Sequence, residues 1–599
     1  MPQTFGQHLV NRALPRDLQS NEALDSRSLN KRLYTLARRD PALAAKTMDH
    51  IRQLGHDIAT AEGASITLDD ITPDYKRRDA VLHPALAKLK KTDSATERRT
   101  IILDAQDKMM KATEKFGGTQ RMMVQSGTRG KPIQLMRSFM SPIAARTAEG
   151  DAIPWMIRKS YSEGLPPSDH FAASMESRNN LIAANLAITE PGDFSKILVN
   201  NMGDQLILDD DCGTKNGIAM SSDDPNIVDR FLVKPAAGFR TGTQITPQVY
   251  SRLRKDKSTG DVIVRSPMTC EHGDGICQKC QGLDERGQLH NIGTNVGIRS
   301  AQAITEPLTQ FTLSARHGVR AAGADAAKIK SLKGVRQFLE IPKTFANKAA
   351  LADTDGEVED IQNAPQGGVN IRVGGTAHYV PPHLNPTVKK GQRVAAGDTL
   401  SEGIPMPNEV VKYKGMGAGR KYMVDQLYDA YAGQGIDVDK RHLEILAKTQ
   451  LNHVQIDDDP EDRFYPGEVV TFPSMMRTLA EDTENTTLSQ SQGRVLAKNY
   501  LHHMAGTTVT PEIAGELKRH KVNKITVAKS PPRVSFVVQS FVSNPLLNPD
   551  WMARMGHRKL KQTLMEGAHF GERSDIHGTH PVPAYVHGTE FGKGRGGRY

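Results

Sequence analysis

Residues 308–323 read LTQFTLSARHGVRAAG, and they follow directly on NVGIRSAQAITEP (295–307). The upstream run is built of small and apolar residues, the composition of a helix that packs closely against its neighbours. It runs without a break into Ser314, Arg316 and His317, groups that cost free energy to bury without partners. The pattern predicts a helix over 296–320 whose first part is anchored in a core and whose end is offered to a polar or charged partner.

The rest of the chain supplies a scaffold large enough for that arrangement. A length of 599 residues exceeds what one hydrophobic core serves, so several domains are expected. Lys and Arg total 78 against 68 Asp and Glu, a net charge of +10. This moderate basic excess suits a polyanion such as nucleic acid without requiring one. No window approaches the roughly 18 consecutive apolar residues of a membrane span, and the opening MPQTFGQHLVNRALPRD lacks the apolar core of a signal peptide. A soluble chain that stays in the cell that makes it, with no membrane partner, is expected. Four cysteines in the whole sequence exclude a disulfide scaffold and point to a reducing compartment.

Periodicity divides the chain further. Residues 1–120 alternate basic amphipathic stretches such as SLNKRLYTLARRDPALAAKTMDHIRQLG (28–55) with polar breaks, a mostly helical pattern interrupted by the strand-like ASITLDDI (64–71). A long helical run from Phe171 to Ile188 is expected to stop at TEPGD, where Pro191 and Gly192 break it. Short strands and turns are expected over 197–295. Past Leu339, GEVEDI, GVNIRVGG, AHYVPPH and GQRVAAGDTL alternate as strands between Gly-rich turns. A second helical block is expected over 422–451, and no internal repeat is evident.

All four cysteines fall in one pattern. Cys212 lies in DDDCGTKNG, and Cys270, Cys277 and Cys280 lie in TCEHGDGICQKCQG. The GDG turn can present the last pair while the other two close a tetrahedron of four thiolates, a structural zinc site with no open position. The competing reading is a buried cysteine beside a redox C-x-x-C pair. His272 is a supernumerary candidate that the site does not need.

Other polar clusters read as surface. ADTDGE (352–357) sets Asp353, Asp355 and Glu357 at alternate positions, which could hold a divalent cation for a metal-dependent nuclease, but the sequence after it makes a D-G turn into a solvated strand the plainer reading. Asp209–Asp211 and Asp457–Asp459 read as solvated loops. The histidines of GAHFGERSDIHGTHPVPAYVHG (567–588) match no compact metal spacing, and the tail GKGRGGRY could at most touch phosphates.

The blocks occur in the order of one family. MMVQSGTRGKPIQLMR (122–137) resembles the "SGARG" F-loop segment of the β′ subunit, the largest subunit of multisubunit DNA-dependent RNA polymerases. SYSEGL (160–165) resembles the phrase before its bridge helix, and FAASMESRNNLIAANLAITEPGDFSK (171–196) lies on the bridge helix without gaps. The cysteine set matches the family's second zinc site at all four ligands, and GIRSAQAITEPLTQFTLSARHG (297–318) resembles the helix that leads into the trigger loop. RQFLEIPK, KKGQRVAAGDTLSEG, QLYDAYAGQGIDVDKRHLEIL and YPGEVV continue the order, so the resemblance runs from about Gly63 to Gly592.

The resemblance implies an α+β multidomain fold. Its parts would be a helical pore- or funnel-like region (1–120), the F-loop and bridge helix (121–200), a four-cysteine zinc module (201–295) and a trigger-loop helical hairpin (296–340). A β-rich barrel-like segment (341–420) and a C-terminal helical clamp or anchor region with a basic tail (421–599) would follow. The implied activity is template-directed nucleotidyl transfer, with Gln310 near the ribose or base, Leu313 against the base and His317 by the triphosphate. Where the family has Met-Arg this chain has Leu313-Ser314, and Arg316 lies two residues on, about 200° around a helix, so it does not inherit the phosphate contact by position alone. In the bridge helix, Ile188 and Thr189 would face the templating base pair and Pro191 would enforce a kink. Arg178 and Lys196 would face the nucleic-acid backbone, and Arg129 would support the bridge.

The family's N-A-D-F-D-G-D signature, which holds catalytic Mg2+, has no counterpart before the bridge helix. The resemblance therefore implies a separate β′ N-terminal polypeptide carrying it. Further implied partners are β-like subunits, DNA template, RNA product, NTPs and a sigma-like or promoter-specificity subunit, with Zn2+ in this chain. A subunit split there without large insertions resembles those of giant tailed bacteriophages, more than the usually longer chloroplast or cyanobacterial forms. That implies the cytoplasm of an infected bacterium, or packaging in the virion. A zinc-containing nucleic-acid-binding protein without catalysis, derived from a polymerase subunit, is the alternative; Gln310 and His317 speak against it.

Overall fold

Short polar side chains start the N-terminal helices. Thr4, Asp25, Asp40, Asp74 and Ser94 each accept a hydrogen bond from the first turn that follows, satisfying amides that a helix start leaves orphaned. The computed structural model describes residues 4–573 except 23, 64–66, 68–71, 115–118, 128, 147–151, 187–188, 257–259, 274, 315–331, 343–344, 346, 434–435, 474, 476–482, 548–550 and 558–559. Most of ASITLDDI and of the C-terminal histidine stretch lies outside the described residues. The chain divides into two compact units at Glu190/Pro191, and the second resumes after the 311–321 stretch.

The first unit is helical, as the pattern predicts: α1 (Phe5–Ala13), α2 (Ser26–Arg39), α3 (Pro41–Glu62), α4 (Tyr75–Leu89), α5 (Ala95–Thr113), α6 (Thr119–Gln125), α7 (Pro132–Phe139) and α8 (Pro167–Leu186). Leu82, Leu89, Ile102, Met109, Met136 and Met140 form its main core. SYSEGL folds as a turn in which Glu163 accepts from the Ser160 amide at 2.9 Å and pairs with Arg78 at 2.6 Å, and Gly164 takes the left-handed conformation (φ 78°). Glu176 of α8 is held by Arg137 of α7 at 2.6 Å, and Asp169 by the Trp155 indole at 3.0 Å.

Pro191 does not end the helical run. A new helix, α9 (Thr189–Met202), begins before it, and Pro191 lies in the first turn, where the amide it lacks has no intrahelical acceptor anyway. In the second unit α9 is joined by α10 (Pro247–Lys255), α11 (Gln278–Gln281), α12 (Val296–Ser314) and α13 (Leu332–Glu340). The chain continues with α14 (Pro407–Ala432), α15 (Lys440–Gln450), α16 (Pro511–Arg519), α17 (Trp551–His557) and α18 (Leu560–Phe570).

One large core gathers Phe194, Ile197, Leu198 and Met202 of α9, Ala301, Ile304 and Leu308 of α12, Val335, Phe338 and Leu339 of α13, and Met423, Leu427 and Tyr431 of α14. The spacing within each helix sets these residues on one face. Thr305 Oγ1 donates to Ser195 Oγ at 3.2 Å, Arg336 pairs with Asp193 at 3.2 Å, and Tyr431 Oη donates to the Ile304 carbonyl at 2.7 Å in the turn before Pro307. Gly297, in the N-V-G-I-R-S run, lets α12 meet the end of α9: a Cβ there would stand 1.7 Å from the Met202 carbonyl oxygen. Gly297→Ala is expected to push the helices apart and cost about 3 kcal/mol, the upper end of ordinary overpacking, measured as a fall in the denaturant midpoint; an unchanged midpoint would refute the close approach.

The strands past Leu339 form as expected. β5 (Gly356–Asn363), β6 (Val369–Val373), β7 (Thr376–Val380) and β8 (Arg393–Val394) make an antiparallel sheet in the order β7-β6-β5-β8, following the shorter β1 (Ile207–Asp209), β2 (Ile218–Ser221), β3 (Asp261–Val264) and β4 (Ile276–Cys277). ADTDGE is the bend leading into β5, with Asp355 accepting from the Ala396 amide at 2.8 Å, so the turn reading holds. The β-rich stretch is shorter than 341–420, because α14 starts at Pro407 and bends at Gly415 (φ 84°). The region from 421 on is not simply helical. β9 (His453–Asp458), β10 (Val469–Thr471) and β13 (Arg533–Val537) form one sheet, and β11 (Thr483–Thr487) pairs with β12 (Lys524–Ala528). Asp459 is buried rather than solvated, accepting from the Arg463 and Phe464 amides and pairing with Arg463 at 2.8 Å.

An internal repeat is present after all. Residues 229–267 and 493–531 align without a gap, with Arg230/Arg494, Leu232/Leu496, Lys234/Lys498, Gly242/Gly506, Thr246/Thr510, Pro247/Pro511, Leu253/Leu517 and Pro267/Pro531 identical. The backbone repeats with it. Leu232 N donates to Thr243 O as Leu496 N does to Thr507 O, Gly242 N to Leu232 O as Gly506 N to Leu496 O, and Ile245 N to Arg230 O as Val509 N to Arg494 O. Ala237 and Leu501, equivalent residues, both take a positive φ (47° and 54°). Thr246 caps α10 and Thr510 caps α16 in the same way. Scattered identities hid the repeat in the sequence, since buried positions exchange freely among apolar residues.

Candidate metal centre

Three local structures deliver the cysteines. β1 pairs in parallel with β4, which places the loop after β1, with Cys212, beside the end of β4. Cys270 follows the turn Pro267–Thr269. Cys277 ends β4 and caps α11, its Sγ accepting from the Cys280 amide at 3.4 Å, while Cys270 Sγ accepts from the Cys277 amide at 3.4 Å. Gly275, in the GDG turn, passes so close to β1 that a Cβ would meet Leu208 at 2.6 Å.

The four sulfurs lie within 4.8 Å of one another, with Cys212 and Cys280 3.7 Å apart. A tetrahedron with metal–sulfur bonds of about 2.3 Å has edges of about 3.8 Å, so the donor set fits a zinc-like ion. All four cysteines are free thiols, and their convergence is more than a redox C-x-x-C pair requires. Cys270, Cys277 and Cys280 are buried and Cys212 half-buried. Hydrogen bonding from the other three thiols holds Cys212 well below the usual thiol range. At Cys277 the bond with Cys212 raises the pKa, but those with Cys270 and Cys280 outweigh it and bring it down to about 6.

Cations surround the sulfurs. Arg265 Nη1 lies 3.5 Å from both Cys212 and Cys280 Sγ, and its Nη2 donates to Asp211 at 2.9 Å. Lys279 also pairs with Asp211, at 2.9 Å, so Asp211 belongs to the centre rather than to a solvated loop. The buried Lys448 of α15 donates to the His272 and Gly275 carbonyls at 2.8 Å each, holding the turn between Cys270 and Cys277. His272 itself stands outside the sulfur cluster, 3.7 Å from Asp209. Sequence reading missed Arg265 and Lys448: single basic residues carry no spacing signal, although Arg265 sits in the R-S-P run just before Cys270.

Beneath the centre lies a buried ion pair. Arg230 and Glu444 of α15, 0% and 1% exposed, meet through two hydrogen bonds of 2.6 and 2.9 Å, and Ser266 donates to the same carboxylate at 2.6 Å.

The other expected site residues are not drawn together in the same way. Arg129 follows α6, Arg178 lies on α8, Thr189 opens α9 and Lys196 lies on α9; all four side chains are exposed. Gln310 and Leu313 fall in the last turns of α12, while Ile188, Arg316 and His317 lie outside the described residues. Among the described residues, the four cysteines are the expected set that the fold brings within bonding reach.

Comparison with known proteins agrees with this architecture. The family profile described as RNA polymerase Rpb1, domain 5, matches residues 164–372 and 380–465, which take in α8, the cysteine module, α12 and α15. The DNA-directed RNA polymerase subunit beta' of Clostridioides difficile is 28% identical over 528 residues, covering 78% of this chain and 44% of that protein. Those of Symbiobacterium thermophilum and Micrococcus luteus are each 28% identical over 512 and 514 residues, covering 78% of this chain and 42% and 39% of theirs. The chain thus spans less than half the length of the curated relatives it matches. Taken with the ordered blocks and the cysteine module, these matches make the chain a β′-type polypeptide of the multisubunit RNA polymerase family, corresponding to the C-terminal part of that subunit.

Proposed function

We propose that this chain works in a DNA-directed RNA polymerase, with α8 and α9 as the two parts of a bridge helix and α12 and α13 as the arms of a trigger loop. The observation that carries the reading is that α9, α12 and α13 share one core and are tied by Thr305–Ser195 and Arg336–Asp193. In this reading the arms are anchored by the core while a substrate is bound and released.

In nucleotide addition the RNA 3′-oxygen attacks the α-phosphate of an incoming NTP, the bond to the β-phosphate breaks, and pyrophosphate leaves. Gln310 and Leu313 position the ribose and base. His317, beside the triphosphate, donates a proton or supplies positive charge to the leaving pyrophosphate, and Arg316 reaches the phosphates by a different path from the family's arginine. Ile188 and Thr189 bear on the templating base pair, while Arg129, Arg178 and Lys196 support the bridge and the nucleic-acid backbone. Mg2+ would be held by the aspartates of an N-A-D-F-D-G-D loop, which lies outside this sequence, and would supply stabilisation of the phosphoryl charge. Zn2+ at Cys212, Cys270, Cys277 and Cys280 is structural.

The partners in this reading are the polypeptide carrying that loop, β-like subunits, a specificity subunit, DNA, RNA and NTPs. An enzyme of a giant bacteriophage, acting in the infected bacterium, is the setting this reading favours, supported by the lack of large insertions between the blocks. Among the described residues no helix is long and apolar enough to cross a membrane.

Reconstitution with the partner subunits tests this. The assembled enzyme is expected to extend RNA, and His317→Ala to slow single-nucleotide addition about 100-fold or more, as loss of a general acid does, with template binding unchanged. Addition at the wild-type rate in His317→Ala would refute the trigger-loop assignment. No addition by the complete assembly would favour the non-catalytic nucleic-acid-binding alternative.

A further inference from the structure

The repeat exposes a difference between its two copies. In the first, the Arg252 guanidinium lies over the Phe239 ring, 5.1 Å from its centre, stapling the corner of the motif to α10. In the second, the equivalent residues are His503 and Glu516, and they meet at 3.0 Å between Nε2 and Oε2. A staple needs no more than that pair. The second copy nevertheless places a further imidazole, His502, where the first has Gly238, with His502 Nδ1 3.7 Å from the other carboxylate oxygen of Glu516.

We propose that His502, His503 and Glu516 form a second metal site, one that takes a divalent transition ion of the zinc type through two imidazoles and a carboxylate. Their ligand atoms all lie within 4.8 Å of one another. A tetrahedral ion with N and O ligands at about 2.0–2.1 Å has ligand–ligand edges of about 3.3–3.4 Å, and each imidazole stands near that distance from one oxygen of the Glu516 carboxylate, His503 at 3.0 Å from Oε2 and His502 at 3.7 Å from Oε1. Both histidine side chains are buried, 8% and 6% exposed, and their rings lie 4.1 Å apart. The two histidines sit on the corner of the motif and Glu516 on α16, so an ion here clamps the corner to the helix, as the Phe239–Arg252 contact does in the first copy.

Donor chemistry sets the order of affinity. Four thiolates hold zinc more tightly than a pair of imidazoles with one carboxylate, and Lys421 adds positive charge near the second site. The second ion is therefore the first to leave when chelator is added.

Metal content of the purified full chain, loaded with Zn2+ and freed of excess, decides the matter. Two zinc ions per chain are expected. Glu516→Gln, which keeps a hydrogen-bonding staple, and His502→Gly, which restores the residue of the first copy, are each expected to leave one, with the thiolate site intact. Loading with Co2+ distinguishes the sites without relying on variants: titration should fill a set of bands with thiolate charge transfer and then a second set without it. One zinc in the wild type, or two retained in both variants, overturns the proposal, and an adventitious surface ion would show as zinc lost alike from all three proteins.

Discussion

Glu444→Ala should destabilise the second unit by about 3–5 kcal/mol, the cost of leaving a buried guanidinium without its partner. Arg230 and Glu444 are as buried as any core leucine, and the carboxylate takes hydrogen bonds from Arg230 Nη1 and Nη2 and from Ser266. Removing it leaves Arg230 only the Asn226 and Arg265 carbonyls. Folded domains are stable by about 5–15 kcal/mol, so a loss of this size removes a large fraction of the total. Denaturant unfolding followed by the far-ultraviolet signal reads it directly. The double change Arg230→Met with Glu444→Leu is expected to recover most of the loss, because a well-packed apolar pair replaces a buried ion pair at little cost. A fall of less than about 1 kcal/mol in Glu444→Ala would show that the pair is solvated.

Cys277→Ser is expected to abolish binding at the thiolate centre and to loosen the core around it. Structural zinc contributes up to about 10–16 kcal/mol to the folding of small zinc domains, and Cys277 both supplies a ligand and caps α11. Cys270, Cys277 and Cys280 lie in the same core as α9, α12 and α13, so losing the ion reaches the helices that carry the proposed catalytic segment. One fewer zinc per chain, a lower melting temperature, and faster proteolysis between residues 209 and 282 are the expected readouts. Prolonged chelation of the wild type should reproduce the lower melting temperature and the faster proteolysis. A variant that keeps its zinc content and melts with the wild type would refute the four-cysteine site.

The parts of the site legible in the sequence were those whose chemistry is local. Four cysteines in a chain with no others, two of them three residues apart after a GDG turn, specify thiolate donors almost without reference to the fold. The apolar run before Leu308 specifies an anchored helix in the same way, and α12 follows it through Ser314, while residues 315–320 of the expected helix lie outside the described residues. Pro191 was misread because proline breaks a helix only when it follows the first turn, and nothing local says which helix it belongs to. The three aspartates at 209–211 are identical by composition, but only Asp211 faces Arg265 and Lys279. The repeat at 229–267 and 493–531 was present in the sequence throughout; its identities are sparse and separated, and the shared hydrogen-bond pattern made them recognisable.

By itself the sequence determined the ligand types of the thiolate centre, the helical first unit, the strands after Leu339 and the family order of the blocks, because each depends on neighbours within a few turns of chain. Tertiary structure decided which charges meet. Arg230 finds Glu444, Lys448 finds the turn at His272 and Gly275, and His503 finds Glu516, pairings set by packing between distant elements. A buried charge is tolerable only beside its partner, and which partner stands there is a property of the folded core that no local pattern encodes.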